Sequence, residues 1–128
     1  MAKVLFTGFP GFLGSELLPR VLLRSAGDTA VCLVQGKYMD MARRRADEVT
    51  RGHPELKGRI ELVKGDITRP GLGLGMSGEL QQEISEIYHL AAVYDLSVGR
   101  DLAMKVNVEG TINTLDFAAG CPNLKRFQ

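Results

Sequence analysis

The sequence predicts an α/β fold, a doubly wound parallel sheet with strand order 3-2-1-4-5 that stops inside its fifth strand. Three observations lead to it. Short apolar runs at 4–6, 30–35, 59–64 and 86–91 alternate with longer segments of helical period. That is the pattern of a parallel sheet covered on both faces. The first run leads straight into Gly8, Gly11 and Gly14, spaced G-x-x-G-x-x-G, and then into a helix. No repeat, linker or second domain interrupts this order, and residues 124–128, LKRFQ, begin another strand.

The first strand carries Val4, Leu5 and Phe6 without a polar break, as a central strand should. Gly8 can take the positive φ of a tight turn. Gly11, without a Cβ, leaves room for a pyrophosphate against the backbone, and Gly14 lets the helix lie near the strand. A helix beginning at Phe12 turns its free N–H groups and positive dipole end to the same point. Two phosphates can then be held without a phosphate-binding lysine. Strand before and helix after are the context that a dinucleotide fingerprint requires. Thr7, Phe12 and Leu13 share this turn and join the three glycines as candidate cofactor contacts.

The first helix is predicted over 12–25, with Leu13, Leu17 and Val21 on one stripe and Leu18 and Leu22 beside it. Pro19 removes one internal hydrogen bond and should bend it. The second strand, 30–35, ends in Gln35. An NAD-binding unit of this kind usually has Asp or Glu there, on the adenine ribose hydroxyls. Here no carboxylate follows until Asp40, while Lys37, Arg43, Arg44 and Arg45 follow closely. Missing repulsion and nearby cations favour a 2′-phosphate, hence NADP, with NAD possible. The arginines also suit a solvated helix face, because Asp47 and Glu48 come one turn on. The second helix is predicted over 39–51, and His53 after it is assigned no role.

The third strand, 59–64, runs into Gly65-Asp66-Ile67. A carboxylate at that strand end can accept from the adenine amino group, and the Ile67 N–H can donate to a ring nitrogen. Asp66 could instead be a turn or cap residue before Thr68. Residues 69–78, RPGLGLGMSG, lack the Gly-Lys-Ser/Thr of a phosphate loop and read as a flexible connection. Ser77 is placed as the cap of a short helix to 83. The fourth strand, 86–91, leads into Ala92, and the small Ala91 and Ala92 would let ribose and nicotinamide pass against backbone. His89 reads as a packed strand residue, and Tyr94 as part of a loop lining the nicotinamide end. The last helix, 101–119, has Val108, Ile112, Leu115 and Ala119 on its apolar stripe. Asn107 and Gly110 are poor helix formers, and their place mid-helix suggests a polar task facing a site.

Composition narrows the function classes. In 128 residues, 45% are hydrophobic and 24% charged, and the net charge of +1 gives no reason to expect nucleic acid as partner. No run reaches the roughly 18 apolar residues of a membrane span. Cys32 and Cys121 form neither a metal spacing nor a redox pair. Reduced thiols in a cytoplasmic protein are expected, and no metal site is.

Four stretches carry a family resemblance: TGFPGFLG at 7–14, GDIT at 65–68, HLAAVYDL at 89–96 and VNVEGT at 106–111. Together they resemble the extended short-chain dehydrogenase/reductases. HLAAVYDL and PGLGLG are most similar to the branch of fatty acyl-CoA reductases and thioester reductases, the male-sterility type. The resemblance implies a Rossmann-type fold in which Gly8, Gly11 and Gly14 bind the pyrophosphate and Asp66 and Ile67 the adenine. It implies that Ala91 and Ala92 lie along the cofactor and that Asn107 supports the active-site hydrogen-bond network. Many members of the branch carry an arginine where Gln35 stands.

The family's catalytic residues are a Ser or Thr after the fifth strand and a later Tyr-x-x-x-Lys, whose tyrosine handles the proton on the substrate oxygen. None of Tyr38, Tyr88 and Tyr94 has Lys four residues on. The expectation is therefore the N-terminal portion of one NAD(P)-binding domain, inactive by itself. Its parent would be an NADP-dependent oxidoreductase that transfers hydride on a carbonyl or acyl-thioester substrate, possible as a homo-oligomer. Two other functions fit the same residues: an NAD-dependent sugar-nucleotide epimerase or dehydratase, and a non-catalytic module that senses NADP(H).

Overall fold

The computed structural model describes residues 2–91 and 99–128. Five parallel strands form one sheet: β1 (Lys3–Thr7), β2 (Thr29–Val34), β3 (Ile60–Lys64), β4 (Ile84–His89) and β5 (Arg126–Phe127), in the order β3-β2-β1-β4-β5. This is the predicted order. Its register brings the strand ends together: Thr7 pairs with Leu33 and His89, and Val34 with Lys64. The residues that follow, Gly8, Gln35, Gly65 and Leu90, therefore rise from one edge.

Strand alternation sorts the core into two layers. Val4, Phe6, Cys32, Val34 and Tyr88 meet α1 (Phe12–Leu23) and α2 (Met39–Gly52) on one face. The Phe6 and Tyr88 rings stack there with centroids 5.3 Å apart. Leu5, Val31, Leu33, Ile84 and Ile87 meet Ile67, Leu72, Phe117 and Ala118 on the other. Cys32 and Cys121 are both free and buried, and burial pushes each thiol up, away from reactivity. No helix among the described residues is long and apolar enough to cross a membrane.

Several element readings need correction. In α1, Leu13 is 57% exposed. The buried side is Gly14, Leu18, Pro19, Val21 and Leu22. The first turn stands clear of the sheet, and Gly14 rather than Leu13 faces the strand exit. The helix ends at Leu23, two residues before the predicted 25, and β2 ends at Val34, leaving Gln35 as the extended residue before a 3₁₀ turn, Gly36–Tyr38. β4 starts at Ile84 and ends at His89, two residues earlier than predicted, so Ala91 lies beyond it.

Residues 69–78 are more than a loose connection. Pro70–Gly73 forms a 3₁₀ turn, Leu72 is completely buried, and its carbonyl accepts from the Asp66 N–H at 2.8 Å. Burying Leu72 against the sheet is what shapes this loop. Ser77 does precede α3 (Gly78–Glu83), but its side chain makes no cap bond; only its carbonyl is used, by Gln81 N–H.

The largest correction concerns the last helix. α4 (Arg100–Met104) passes through a π-helical segment, Lys105–Glu109, into α5 (Gly110–Ala119). The side facing the sheet is Gly110, Thr114, Phe117 and Ala118. Val108, Ile112 and Leu115 are exposed at 45%, 51% and 48%, and Ala119 is exposed as well. Close approach decides this, not hydrophobicity: a Cβ on Gly110 would sit 2.5 Å from Ile67 Cδ1. Gly110 is thus a packing position, without the polar task expected of it.

Candidate functional site

The glycine turn leaves β1 through Gly8, at φ +94°, where a Cβ would lie 2.8 Å from the Leu90 carbonyl carbon. Gly8 therefore lets β1 and the chain after β4 converge. Its carbonyl accepts from Gly11 N–H at 2.8 Å. The same oxygen would stand 2.6 Å from a Cβ on Gly11 and 2.9 Å from one on Gly14. The turn's own closure thus requires all three glycines.

Ser15 N–H is the first to find a helical partner, the Gly11 carbonyl at 2.9 Å. The N–H groups of Phe12, Leu13 and Gly14 take none among the described residues, and the first turn has neither a capping side chain nor an acid. Three outward N–H donors, the dipole end of a twelve-residue helix and no competing carboxylate suit a phosphate group. Phe12 and Leu13 extend into solvent beside them. A cradle this close to backbone fits the pyrophosphate of a dinucleotide.

A polar chain ties the turn to β4 and the last helix. Thr7 Oγ1, buried, accepts from the N–H groups of Leu90 and Ala91 at 3.1 and 3.2 Å and lies 2.7 Å from His89 Nδ1. His89 Nε2 lies 3.1 Å from Thr111 Oγ1, whose own proton goes to the Asn107 carbonyl at 2.7 Å. The protons then have one consistent assignment. Thr111 has spent its hydrogen, so Nε2 must donate to it, and Nδ1 accepts from Thr7. His89 is held as the neutral Nε2–H tautomer, and burial likewise pushes its pKa down. His89 is therefore a polar junction, which its placement in an apolar strand run concealed.

At the other end of the crevice, Asp66 Oδ1 accepts from Thr68 N–H at 2.9 Å and Thr68 Oγ1 at 2.7 Å. Partial burial works to raise the Asp66 carboxyl, but Thr68, Arg69 and Gln35 together hold it below the ordinary carboxylate value. The turn role weighed for Asp66 is realised through Oδ1, while Oδ2 lies 4.0 Å from Arg69 Nε. Ile67 is buried under Gly110, its carbonyl accepts from Asn113 Nδ2 at 2.8 Å, and its N–H has no partner among the described residues. Asn113 thereby fixes the peptide that follows this N–H.

The cations sort themselves by partner. Arg43 pairs with Asp40 at 2.9 Å and Arg45 with Glu48 at 3.8 Å. Lys37 Nζ lies 5.1 Å from the Tyr38 ring centroid. Arg44 makes no ion pair among the described residues. The Asn107 carbonyl belongs to the polar chain above, within the π segment. Ala92 and Tyr94 lie outside the described residues. His89, Thr111, Asn113 and Lys64 are the members of this edge that sequence reasoning passed over.

A family model for the NAD-binding, male sterility protein family matches residues 6–128. The chain belongs to that family. Its expected resemblance to the male-sterility, thioester-reductase branch is thereby borne out. A curated relative, nonribosomal peptide synthetase 5 of Gibberella zeae, is 34% identical across 98% of this chain. The chain spans 1% of that relative. The terminal R domain of the myxalamid PKS-NRPS pathway superposes with a TM-score of 0.78 at 30% identity, covering 99% of this chain and 33% of that one. The reductase (R) domain of a nonribosomal peptide synthetase from Mycobacterium tuberculosis gives 0.77 at 31%, covering 99% and 32%. This chain is thus an R-domain-like Rossmann unit spanning about a third of those solved domains.

Proposed function

We propose that this chain is the dinucleotide-binding portion of an NADP-dependent reductase that delivers hydride to a carbonyl, in particular the carbonyl of an acyl thioester. The observation that carries the reading is the glycine turn, where three free N–H groups and a helix dipole meet with no acid in the first turn. The family membership and the likeness to reductase domains of peptide synthetases support the substrate class.

Each residue has a task in this reading. Phe12, Leu13 and Gly14 N–H groups hold phosphate oxygens, and Gly8 and Gly11 keep the backbone close enough. Asp66 and the Ile67 N–H flank the adenine. Gln35, Lys37, Arg43 and Arg44 border the ribose. Thr7 fixes the N–H groups of Leu90 and Ala91, so Ala91 presents backbone along the cofactor; Ala92 and Tyr94 are further proposed cofactor contacts. Asn107 supports the hydrogen-bond network at the reacting end. When bound, the reduced nicotinamide supplies the hydride. We assign proton delivery to no residue of this chain, since no tyrosine here carries Lys four residues on, and we propose that residues 1–128 alone are catalytically silent.

The test is to follow NADPH consumption by the full-length protein with an acyl thioester, alongside residues 1–128 alone. Thioester-dependent oxidation by the full-length protein only is expected. A protein that holds NAD tightly and shows no net consumption would turn the reading toward an epimerase.

A further inference from the structure

Lys64 closes β3 and is the register partner of Val34, which closes β2. Its side chain crosses to the β2 side. A Cβ on Gly36 would sit 3.0 Å from Lys64 Cε and 3.5 Å from Nζ, so the lysine stem occupies the space that a side chain at 36 would fill. Lys64 is exposed and has no ion pair among the described residues. Around it, Arg43, Arg45 and Arg69 each have a carboxylate partner, and Lys37 lies against the Tyr38 ring. Arg44, like Lys64, has no ion pair among the described residues, but the three atoms nearest a Cβ at 36 all belong to Lys64. Gln35 is neutral, and its side chain helps to hold the Asp66 carboxyl below the ordinary value.

A ribose bound in a doubly wound sheet has its 2′ position at the end of the second strand. In this chain that place is bordered by Gln35 and Gly36, and the uncommitted ammonium over Gly36 is that of Lys64. We propose that Lys64 sets the preference for NADP over NAD by pairing with the 2′-phosphate, a step that rests on the dinucleotide reading above. Gly36 contributes by leaving the path of the lysine open. The task usually sought on the second strand and its following helix is moved to the third strand. A phosphate dianion beside an ammonium makes a charge-assisted hydrogen bond. NAD, with a bare hydroxyl there, gains nothing from it.

The test is isothermal titration of the full-length protein with adenosine 2′,5′-bisphosphate and adenosine 5′-monophosphate, then with NADPH and NADH. For Lys64→Gln we expect affinity for both 2′-phosphorylated ligands to fall roughly tenfold or more, with 5′-monophosphate and NADH unchanged. The salt dependence of bisphosphate binding should become shallower. Lys64→Arg should keep the preference. A 2′-phosphate preference untouched in Lys64→Gln would overturn the role of Lys64 and leave the dinucleotide reading standing. Absence of binding by all four ligands to the wild-type protein would overturn both.

Discussion

Thr7 Oγ1 lies 2.7 Å from Nδ1 of His89, joining the last residue of β1 to the last residue of β4. The same oxygen accepts from Leu90 and Ala91 N–H, so one hydroxyl with both lone pairs engaged and its proton donated holds the two central strands at the crevice. Replacing it with a methyl group of the same shape leaves an imidazole nitrogen and the Ala91 N–H without partners, while the Leu90 N–H keeps the Thr7 carbonyl at 3.2 Å. For Thr7→Val we expect a loss of about 1–3 kcal/mol in urea unfolding and weaker dinucleotide binding. A change below about 0.5 kcal/mol would show that the junction is dispensable.

His89 adds a pH dependence whose sign is fixed. Its folded pKa is lowered from the ordinary 6.5, because burial, reinforced by the saturated Thr7 oxygen, disfavours the imidazolium. At pH above 6.5 both folded and unfolded states are neutral at this residue and nothing is lost. As pH falls through 6.5 the unfolded chain takes up the proton first, so stability declines until the folded pKa is also passed. Unfolding midpoints of the wild type should drop in that interval, and those of His89→Gln should drop less. Identical pH profiles would contradict the neutral tautomer.

The phase of the last helix is testable by a pair of changes. Gly110→Ala places a methyl against Ile67 and should cost about 1–3 kcal/mol by overpacking. Ile67→Val in the same protein removes the Cδ1 atom met first and should recover part of that loss. By the same geometry Phe117→Ala should cost about 3–5 kcal/mol. Ile112→Ser should cost less than about 0.5 kcal/mol. Reversed costs at 112 and 117 would restore the apolar stripe read from the sequence.

That stripe shows where sequence reading reaches its limit. The sheet order was legible because apolar runs and glycine punctuation are local signals, and so was the glycine turn from Thr7 to Gly14. The helix facing was not. The burial side is chosen by small residues, Gly110 and Thr114, that admit Ile67 and the sheet, and a hydrophobicity stripe favours the opposite face. Leu72 was hidden because its burial depends on a backbone turn at φ +61° that no apolar period announces. The polar chain through Thr7, His89 and Thr111 was hidden because its members come from three distant segments. The place of Lys64 over Gly36 was hidden because it depends on how the third strand pairs with the second, a relation between distant segments.

Gly11 makes the phosphate turn sensitive to a single methyl. A Cβ there meets the Gly8 carbonyl, so the turn must open and the N–H groups of Phe12 to Gly14 lose their aim. Gly11→Ala should lower the unfolding midpoint and weaken NADPH binding at least roughly tenfold, a loss of about 1.4 kcal/mol or more. Unchanged affinity would remove the phosphate role from this turn.

The central claim is that the glycine turn holds a dinucleotide, and isothermal titration of NADPH into the full-length protein tests it most directly. The account predicts saturable binding at one site per chain, competed by adenosine 2′,5′-bisphosphate. The absence of any saturable heat up to roughly millimolar NADPH, the weak end of measurable affinity, would contradict it.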